Sequence, residues 1–446
     1  MKELLIVILV CVVIAGILWM NKRLRENIRN IFKIEELRKR ITYTILIVLI
    51  YRFGSYVVLP GIDPNQLAEL QNQSSSGLLG LLNMFSGGAF ANASVFALGI
   101  MPYITASIIV QLLGMAIPYF QRLQKEGESG RRKINQITRY LTVLIVAAQA
   151  PGYIANLRAQ LPAEAIYPFV AGGSPTFFFW LSSVIILIAG TLFTMWLGER
   201  ITDKGIGNGV SMIIMIGIVA RLPQALMAEF TARVSTSTGS LIMFVVELAL
   251  LFLVFLVSIA VIQAVRKVPV QYAKRIIGNK QYGGVRQYIP LKMNAANVMP
   301  IIFAQALMFV PMLFAGLGEW GASLAGAFSS VTGFWYNFTL AVLVIAFTYF
   351  YTAIIINPQM MADDMKRNGG FIPGVKPGKQ TVNYIDGIMT RITLPGSVFL
   401  ALVAILPSLA MKFLNIEQSF AYFYGGTSLL IMVGVVLDTL KQIESY

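Results

Sequence analysis

The chain has 446 residues, 57% of them hydrophobic and 12% charged, and carries a formal net charge of +15. Soluble domains are about 25% charged, so this chain has too little polar surface for a water-soluble globule of its size. It lacks His and has a single Cys, which excludes a His-ligated metal site and a serine–histidine mechanism. We therefore expect no cofactor and no bound metal.

The first apolar run lies in residues 1–20, and a basic amphipathic segment that we place in the cytoplasm follows in residues 21–40. Residues 4–20 are long enough for a thin span, and no small-residue cleavage site of the A-x-A kind follows them. Three interpretations stay open. Residues 4–20 could be an extra transmembrane helix with an outside amino terminus, or an uncleaved anchor. Alternatively, translation begins at Met20 and the first 19 residues are an artefact of reading from an upstream start.

Ten further apolar runs have about the length that spans a bilayer core, and none shows the short alternating segments of a β-barrel. The predicted spans are 41–60, 94–117, 137–158, 176–197, 208–226, 241–264, 295–317, 335–356, 389–411 and 425–442. When the spans alternate, most of the 35 Lys and Arg fall on one side, which the positive-inside rule makes cytoplasmic. The sequence thus predicts an all-α polytopic membrane protein with two five-helix halves, 41–227 and 228–446, that start on opposite sides as inverted halves would.

Residues 77–92 are apolar but too short to cross the bilayer, and four glycines interrupt them. Glycine weakens a helix by about 1 kcal/mol relative to Ala. Irregular backbone at membrane depth is tolerated only inside protein or beside a wet cavity. The pattern favours a half-inserted helix that can move; the alternative is an outer loop with an interfacial helix.

Ile104 and Ile108 are four residues apart and so share one helical face, beside small or polar neighbours such as Ser107 and Gln111. A lipid-facing helix does not need those polar neighbours. The alternative is ordinary helix–helix packing with small residues as spacers.

The segment 266–292 carries seven cations and no Asp or Glu. Such a basic segment suits a phosphate surface such as RNA, with salt-sensitive affinity. The alternative is a topology signal combined with attraction to anionic lipids.

Seven stretches together resemble the SecY family, the channel subunits of the bacterial Sec protein translocase. They are MFSGGA, GIMPYITASIIVQLL, KEGESGRRKI, GERITDKGIGNG, YAKR, GGFIPGVKPGKQT and YFYGGTSLLI. They occur at the expected places along the chain, and the resemblance covers about residues 20–446, nearly its whole length.

The resemblance implies two five-helix halves around an hourglass pore, with a lateral gate to lipid between the second and seventh spans. It implies a channel that translocates unfolded secretory polypeptides and releases membrane-protein segments into the cytoplasmic membrane. A ring of aliphatic side chains would close the pore, carried over by motif to Ile104, Ile108, Ile214, Ile302 and Ile431. A plug half-helix would fall on 77–92, including Leu78, Leu81, Met84, Phe85, Gly87 and Gly88.

The resemblance also implies two cytoplasmic docking loops, 265–293 and 357–390, for the ribosome or the motor ATPase SecA. The expected contact residues are Arg266, Lys267, Lys274, Arg275, Lys376 and Lys379. The family more often has Arg at the position of Lys376, and Lys loses the bidentate geometry of Arg. Implied partners are SecE and SecG in a heterotrimer, signal-sequence-bearing polypeptides, SecDF, YidC and anionic lipids, all at the bacterial cytoplasmic membrane.

Two other function classes are weighed against the channel. A coupled secondary transporter with inverted halves should carry carboxylates deep in its spans, and the charges most clearly inside the predicted spans are Arg52 and Glu247, either of which could lie near an end. An intramembrane aspartyl protease needs two mid-span Asp, but Asp438 stands alone. No nucleotide-binding loop occurs in the sequence, so we expect a non-enzyme whose energy comes from a partner.

Overall fold

The computed structural model describes most of the chain. The described residues are 26, 33–67, 70, 80, 83–161, 165–166, 177–235, 240–272, 275–277, 280–282, 286–308, 326–328 and 330–445. The predicted apolar segment over 1–20 therefore lies outside the described residues, as does most of the basic segment over 21–40.

The chain divides into two compact units, one of Met1–Met227 with Val435–Tyr446 and one of Ala228–Gly434. The helices that lie in or begin in the first unit are α1 (Glu35–Gly54), α2 (Met101–Ala116), α3 (Pro118–Lys125), α4 (Glu128–Gln160), α5 (Phe177–Lys204) and α6 (Gly209–Ser235). Helix α1 packs against α5, and both α2 and α5 pack against α4. A buried core joins α4 and α5 to the connecting segments, with Leu59, Leu70, Phe90, Tyr153 and Leu187 among its members.

Helices α2 and α3 meet at a sharp bend of 102°. The residue between them, Ile117, is extended with φ −111° and ψ 121°. Pro118 follows it, and a proline disfavours the helical conformation of the residue before it. The predicted span over 94–117 consequently ends at this bend, where a short amphipathic helix of basic character leaves the α2 axis.

The second unit contains the end of α6, then α7 (Ser240–Gln263), α8 (Met299–Leu307), α9 (Phe334–Ile355), α10 (Pro358–Arg367), α11 (Lys379–Leu414), α12 (Gln418–Ala421) and the start of α13 (Gly426–Glu444). Helix α9 packs along α11, and α8 packs on α9. Phe303 on α8 lies 5.5 Å from the ring of Phe347 and 5.1 Å from that of Tyr351, measured between ring centroids. Aromatic pairs at this spacing add to the apolar contact between α8 and α9.

A small β-sheet follows α7. Strand β1 (Val265–Tyr272) pairs antiparallel with β4 (Arg286–Lys292), and β5 (Gly370–Phe371) adds to the other edge of β1 through Gln271 and Tyr272. Strands β2 (Arg275–Ile277) and β3 (Lys280–Tyr282) form a separate antiparallel pair between them. The all-α prediction holds for the membrane-spanning helices, and this sheet is an addition that the sequence analysis did not predict.

Seven helices among the described residues are long and apolar enough to cross a membrane, and the bent pair α2–α3 would make eight. The chain is a multi-pass membrane protein, and the count of ten spans stays a prediction. Several predicted bounds were wrong. The span over 41–60 ends at Gly54, and the one over 94–117 begins at Met101. The second difference arises where the apolar residues 94–100 form largely buried turns, because burial inside protein selects apolar residues without requiring a helix.

Two loops that were predicted to be cytoplasmic are more helical than the predicted spans implied. Helix α4 begins at Glu128, nine residues before its predicted span, and α11 begins at Lys379, ten residues before its predicted span. A pair four residues apart, Glu128–Arg132 at 3.0 Å, supports the polar first turn of α4. Two membrane helices thus extend beyond their apolar segments.

Candidate pore constriction and docking surface

The five isoleucines of the predicted ring divide between the two units. In the first unit, Ile104 and Ile108 on α2 and Ile214 near the start of α6 are buried, with exposed fractions of 9%, 7% and 5%. In the second unit, Ile431 on α13 is buried and Ile302 on α8 is half-buried. Their closure into one ring stays a prediction.

Within the second unit, a side-chain contact connects α8 and α13 close to Ile302 and Ile431. The hydroxyl of Thr427 lies 3.4 Å from Oε1 of Gln305. Gln305 is three residues after Ile302, and Thr427 is four residues before Ile431, so each polar group shares a helical face with its isoleucine. The two predicted ring residues of this unit therefore lie on the faces that α8 and α13 turn toward each other.

The predicted plug differs in form from the half-helix that was expected. Leu78 and Leu81 lie outside the described residues, whereas Met84 and Phe85 are buried at the end of a short helical turn. From residue 86 onward the chain forms turns, which corrects the prediction of a half-helix through 92. Gly87 and Gly88 have φ of 66° and 92°, in a region that a right-handed helix cannot use.

Hydrogen bonds from surrounding helices hold the described part of this segment, residues 83–92. Tyr51 donates to the Ser86 carbonyl at 3.3 Å, and Arg52 Nη1 donates to the Gly87 carbonyl at 2.9 Å. Tyr153 donates to the Phe90 carbonyl at 2.9 Å. Turns need such partners because their buried carbonyls have no helical ladder. The segment is enclosed by protein, as irregular backbone at membrane depth requires.

The two predicted docking loops meet in one sheet. Strand β1 comes from the first loop and β5 from the second, and a shared core lies beneath them. Its buried members are Val268, Val270, Leu291, Met365, Ile372, Ile385 and Met389. Alternation explains how the basic strand folds: every second residue of β1 after Arg266 points into this core, and the intervening ones do not.

Four of the six predicted docking cations have described side chains, and all four are exposed: Arg266, Lys267, Lys376 and Lys379. Lys267 pairs with Pro290, and Val265 pairs with Lys292. Both pairs lie on the face of the sheet that points away from the core. Lys274 lies outside the described residues, and Arg275 opens β2 opposite Tyr282. Lys267 and Lys292 therefore share the solvent-facing side of the sheet, and both are exposed.

The glycine-rich turn 205–209 has a structural role that the sequence analysis missed. Ile206 N–H donates to Thr44 Oγ1 at 3.1 Å, and Gly207 N–H donates to Gln442 Oε1 at 2.7 Å. Just before it, Glu199 accepts two hydrogen bonds from Arg139, at 3.1 and 2.7 Å. These long-range contacts join α1, α4, α5 and the end of α13 within the first unit.

Among the described residues, the most deeply buried charges lie in the second unit, where Arg233 bridges two carboxylates. Its Nε lies 2.8 Å from Glu229 Oε1 and its Nη2 lies 2.6 Å from Glu247 Oε1. Nη2 also donates to the Leu414 carbonyl at 2.6 Å, and Glu229 Oε2 accepts from the Glu417 N–H at 2.8 Å. Partial desolvation raises the pKa of the Glu417 carboxyl, and the nearby Glu229 raises it further.

This cluster bears on the transporter alternative. Glu247 is fully buried and ion-paired, so its side chain does not reach solvent; its depth in the membrane stays a prediction. A carboxylate matched by a fixed arginine has its charge compensated within the fold. Among the described residues, no group of three or more Cys, Asp or Glu is placed to hold a metal ion.

The comparisons with known proteins agree on one family. The SecY family model matches residues 94–440. The chain is 44% identical over 426 residues to the protein translocase subunit SecY of Streptomyces scabiei, covering 93% of this chain and 95% of that protein. It is 44% identical over 441 residues to the one of Halalkalibacterium halodurans, covering 94% and 97%. The subunit of Aquifex aeolicus is 41% identical over 424 residues, with coverage of 94% and 97%.

Solved structures give the same fold. A protein-conducting channel aligns with a TM-score of 0.60 at 17% identity over 92% of both chains. Sec61 from the canine ribosome–channel complex of the endoplasmic reticulum aligns with a TM-score of 0.55 at 16% identity, again over 92% of both. Taken with the family match over most of its length, these similarities show that the chain belongs to the SecY family.

Proposed function

We propose that this chain is the channel subunit of a bacterial protein translocase, through which unfolded polypeptides cross the cytoplasmic membrane and apolar segments leave sideways into lipid. The observation that carries the proposal is the similarity to SecY translocase subunits along nearly the whole chain. The pattern of buried isoleucines on α2, α6 and α13 supports it, because a sealed pore needs apolar side chains where two halves approach.

An aliphatic constriction suits this task physically. A narrow apolar passage excludes ions by dewetting, and it contacts any passing chain without directional hydrogen bonds. Lateral exit then depends on partitioning, which costs about +3 kcal/mol for a Lys or Asp at a helix centre and gains roughly 0.6 kcal/mol for a Leu. The channel offers each segment a choice between water and lipid and needs no sequence recognition.

The energy source is proposed to be a partner, and the chain itself a non-enzyme. SecA would push post-translational substrates, and a docked ribosome would feed nascent ones. SecE, SecG, SecDF and YidC are the further proposed membrane partners, with anionic lipids at the cytoplasmic face. The sheet β4–β1–β5 with its exposed cations is the proposed docking surface for both the ribosome and SecA.

Reconstituted translocation tests this function. Vesicles containing the chain with its bound subunits should protect a signal-bearing preprotein from added protease when SecA and ATP are present. Protection should disappear without ATP or with a preprotein that lacks its signal sequence. A preprotein that stays fully accessible to protease under all conditions would contradict the channel function.

We expect the double charge-reversal variant, Arg266→Glu with Lys267→Glu, to bind ribosomes at least tenfold more weakly than the wild type. Each cation that faces a phosphate contributes about one unit to the slope of log affinity against log salt, so the slope should fall by about two. Co-sedimentation with ribosomes over a salt series measures both quantities.

The matched control is Arg158→Glu with Lys412→Glu. It makes the same change in net charge with exposed residues on the predicted outer side. An equal loss of ribosome affinity in the two double variants would mean that overall charge, and not the sheet, controls ribosome binding. Undiminished binding of the Arg266/Lys267 variant at physiological salt would refute the docking role.

A further inference from the structure

We propose that Gly217 and Arg221 on α6, together with Arg52 on α1, form a seat that holds the plug turn (residues 83–92) in the closed channel. The inference rests on the proposed function and assigns three positioning residues to it. All of these groups belong to the first unit, so the seat can be described within one compact body.

The central contact is backbone against backbone. A Cβ built on Gly87 would lie 2.8 Å from Gly217 Cα, and one built on Gly217 would lie 3.2 Å from Gly87 N and 3.3 Å from the Phe85 carbonyl oxygen. So close an approach of two backbone segments favours glycine at both positions. Because Gly87 also needs its positive φ, a side chain at Gly217 would push against a turn that has little freedom to adjust.

Two guanidinium groups flank the glycine contact. Arg52 Nη1 donates to the Gly87 carbonyl at 2.9 Å, and its Nη2 donates to Tyr56 Oη at 3.2 Å. The Arg221 guanidinium covers Gly88, with Nε 3.3 Å from a Cβ built there. In the described part of the chain, neither arginine forms an ion pair with a carboxylate. Arg52 is the one that donates to the turn, whereas Arg221 Nη1 donates to Gln224 Oε1 at 3.2 Å and the Arg221 guanidinium packs over Gly88.

The position of the seat on α6 connects it with the proposed constriction. Ile214, Gly217 and Arg221 are spaced three and four residues apart, which puts them on one stripe of the helix. The rise from Ile214 to Gly217 is about 4.5 Å at the helical 1.5 Å per residue. One face of α6 thus carries a predicted ring residue and, one turn further along, the surface on which the plug turn rests.

This arrangement predicts that the seat sets the balance between closed and open channel. Removing a contact made only when the plug turn is seated should favour the unseated state. A hydrogen bond from a charged donor, such as that from Arg52, accounts for about tenfold in such an equilibrium. Steric expulsion by a side chain at Gly217 should have an effect at least as large.

Ion conductance across planar bilayers tests the seat, using the chain purified with its bound subunits. We expect Gly217→Leu to raise the resting conductance by about tenfold or more, and Arg52→Gln to raise it by a similar factor. Arg52→Lys should raise the resting conductance less than Arg52→Gln does, since a lysine can still donate a hydrogen bond to the Gly87 carbonyl. Gly217→Ala, which demands a shift of only a few tenths of an ångström, should have the smaller effect and covers the case in which Leu prevents folding.

The matched controls are Gly152→Leu and Arg158→Gln on α4. A Cβ on Gly152 meets nothing within 4 Å, and the Arg158 side chain is exposed, so both variants should conduct like the wild type. Silent Gly217→Leu and Arg52→Gln channels beside a conducting deletion of 77–92 would overturn the seat and leave the channel function standing. A wild-type protein that fails to translocate a preprotein with SecA and ATP would overturn both the seat and the channel function.

Discussion

Replacing Arg233 with methionine is expected to lower the free energy of unfolding by about 3–5 kcal/mol, because two buried carboxylates lose their common cation. The Glu229 and Glu247 side chains are 1% and 0% exposed, whereas that of Arg233 is 19% exposed. A buried ion pair is a weak source of net stability, but removing one partner leaves an uncompensated charge in an apolar setting. Glu247 Oε2 has no hydrogen-bond partner among the described residues, so the loss of Arg233 would leave this carboxylate without its paired cation.

The melting temperature in detergent measures this effect. Arg391→Met is the control, since that side chain is exposed on α11, and we expect it to melt like the wild type. Adding Glu247→Gln to Arg233→Met should restore part of the stability, because it removes one of the two stranded charges. An Arg233→Met protein that melts at the wild-type temperature would show that the cluster is solvated and not structurally important.

Asparagine at Ile431 or Ile302 is expected to raise ion leak by about tenfold to a hundredfold and to let polypeptides with poor signal sequences through. A buried isoleucine accounts for about 1.5–3 kcal/mol of apolar burial, and each 1.4 kcal/mol corresponds to about a tenfold change. An amide in a narrow passage offers hydrogen bonds to water and so lowers the barrier to wetting. Vesicle ion flux and the export of a preprotein with a weakened signal measure the two effects.

Leu307→Asn and Val436→Asn are the matched controls. They place the same amide on α8 and α13 at side chains that are 41% and 46% exposed, outside the predicted ring. We expect neither to change leak or signal stringency. Unchanged flux and unchanged stringency in both the Ile431→Asn and Ile302→Asn proteins would count against the assignment of these residues to the constriction.

Most of the membrane helices could be predicted because a bilayer demands a long apolar run, and a run of that length is visible in a single sequence. The ends were less predictable. Residues 94–100 are apolar yet form buried turns before α2, since protein burial and lipid burial select the same side chains. At the other end, α4 continues into polar sequence where hydropathy gives no signal.

The docking sheet illustrates a second limit. Val268 and Val270 are buried and alternate with less buried residues in β1, Lys267 being exposed and Pro269 and Gln271 half-buried; this is a strand signal that the basic composition obscured. The pairing of Gln271 with Phe371 joins residues a hundred positions apart, and no local pattern specifies it. The basic character of the segment was visible from its charges, whereas the union of two loops in one sheet was not.

The candidate site was predictable in its residues more than in its contacts. Glycines at 87 and 88 indicated irregular backbone, and the structure gives both a positive φ. Glu229 and Arg233 are four apart on one helix, a local pair that could have been found. Their partner Glu247 and the approach of Gly217 to Gly87 depend on tertiary packing, which motif reasoning does not supply.

The most direct test of a sealed polypeptide channel is the single-channel conductance of the purified protein in planar bilayers, comparing the wild type with a deletion of 77–92. The proposed function predicts a silent wild type that conducts only when SecA, ATP and a preprotein are added, and a deletion that leaks without them. A wild type that stays silent with substrate, together with a folded deletion that stays silent as well, would contradict it.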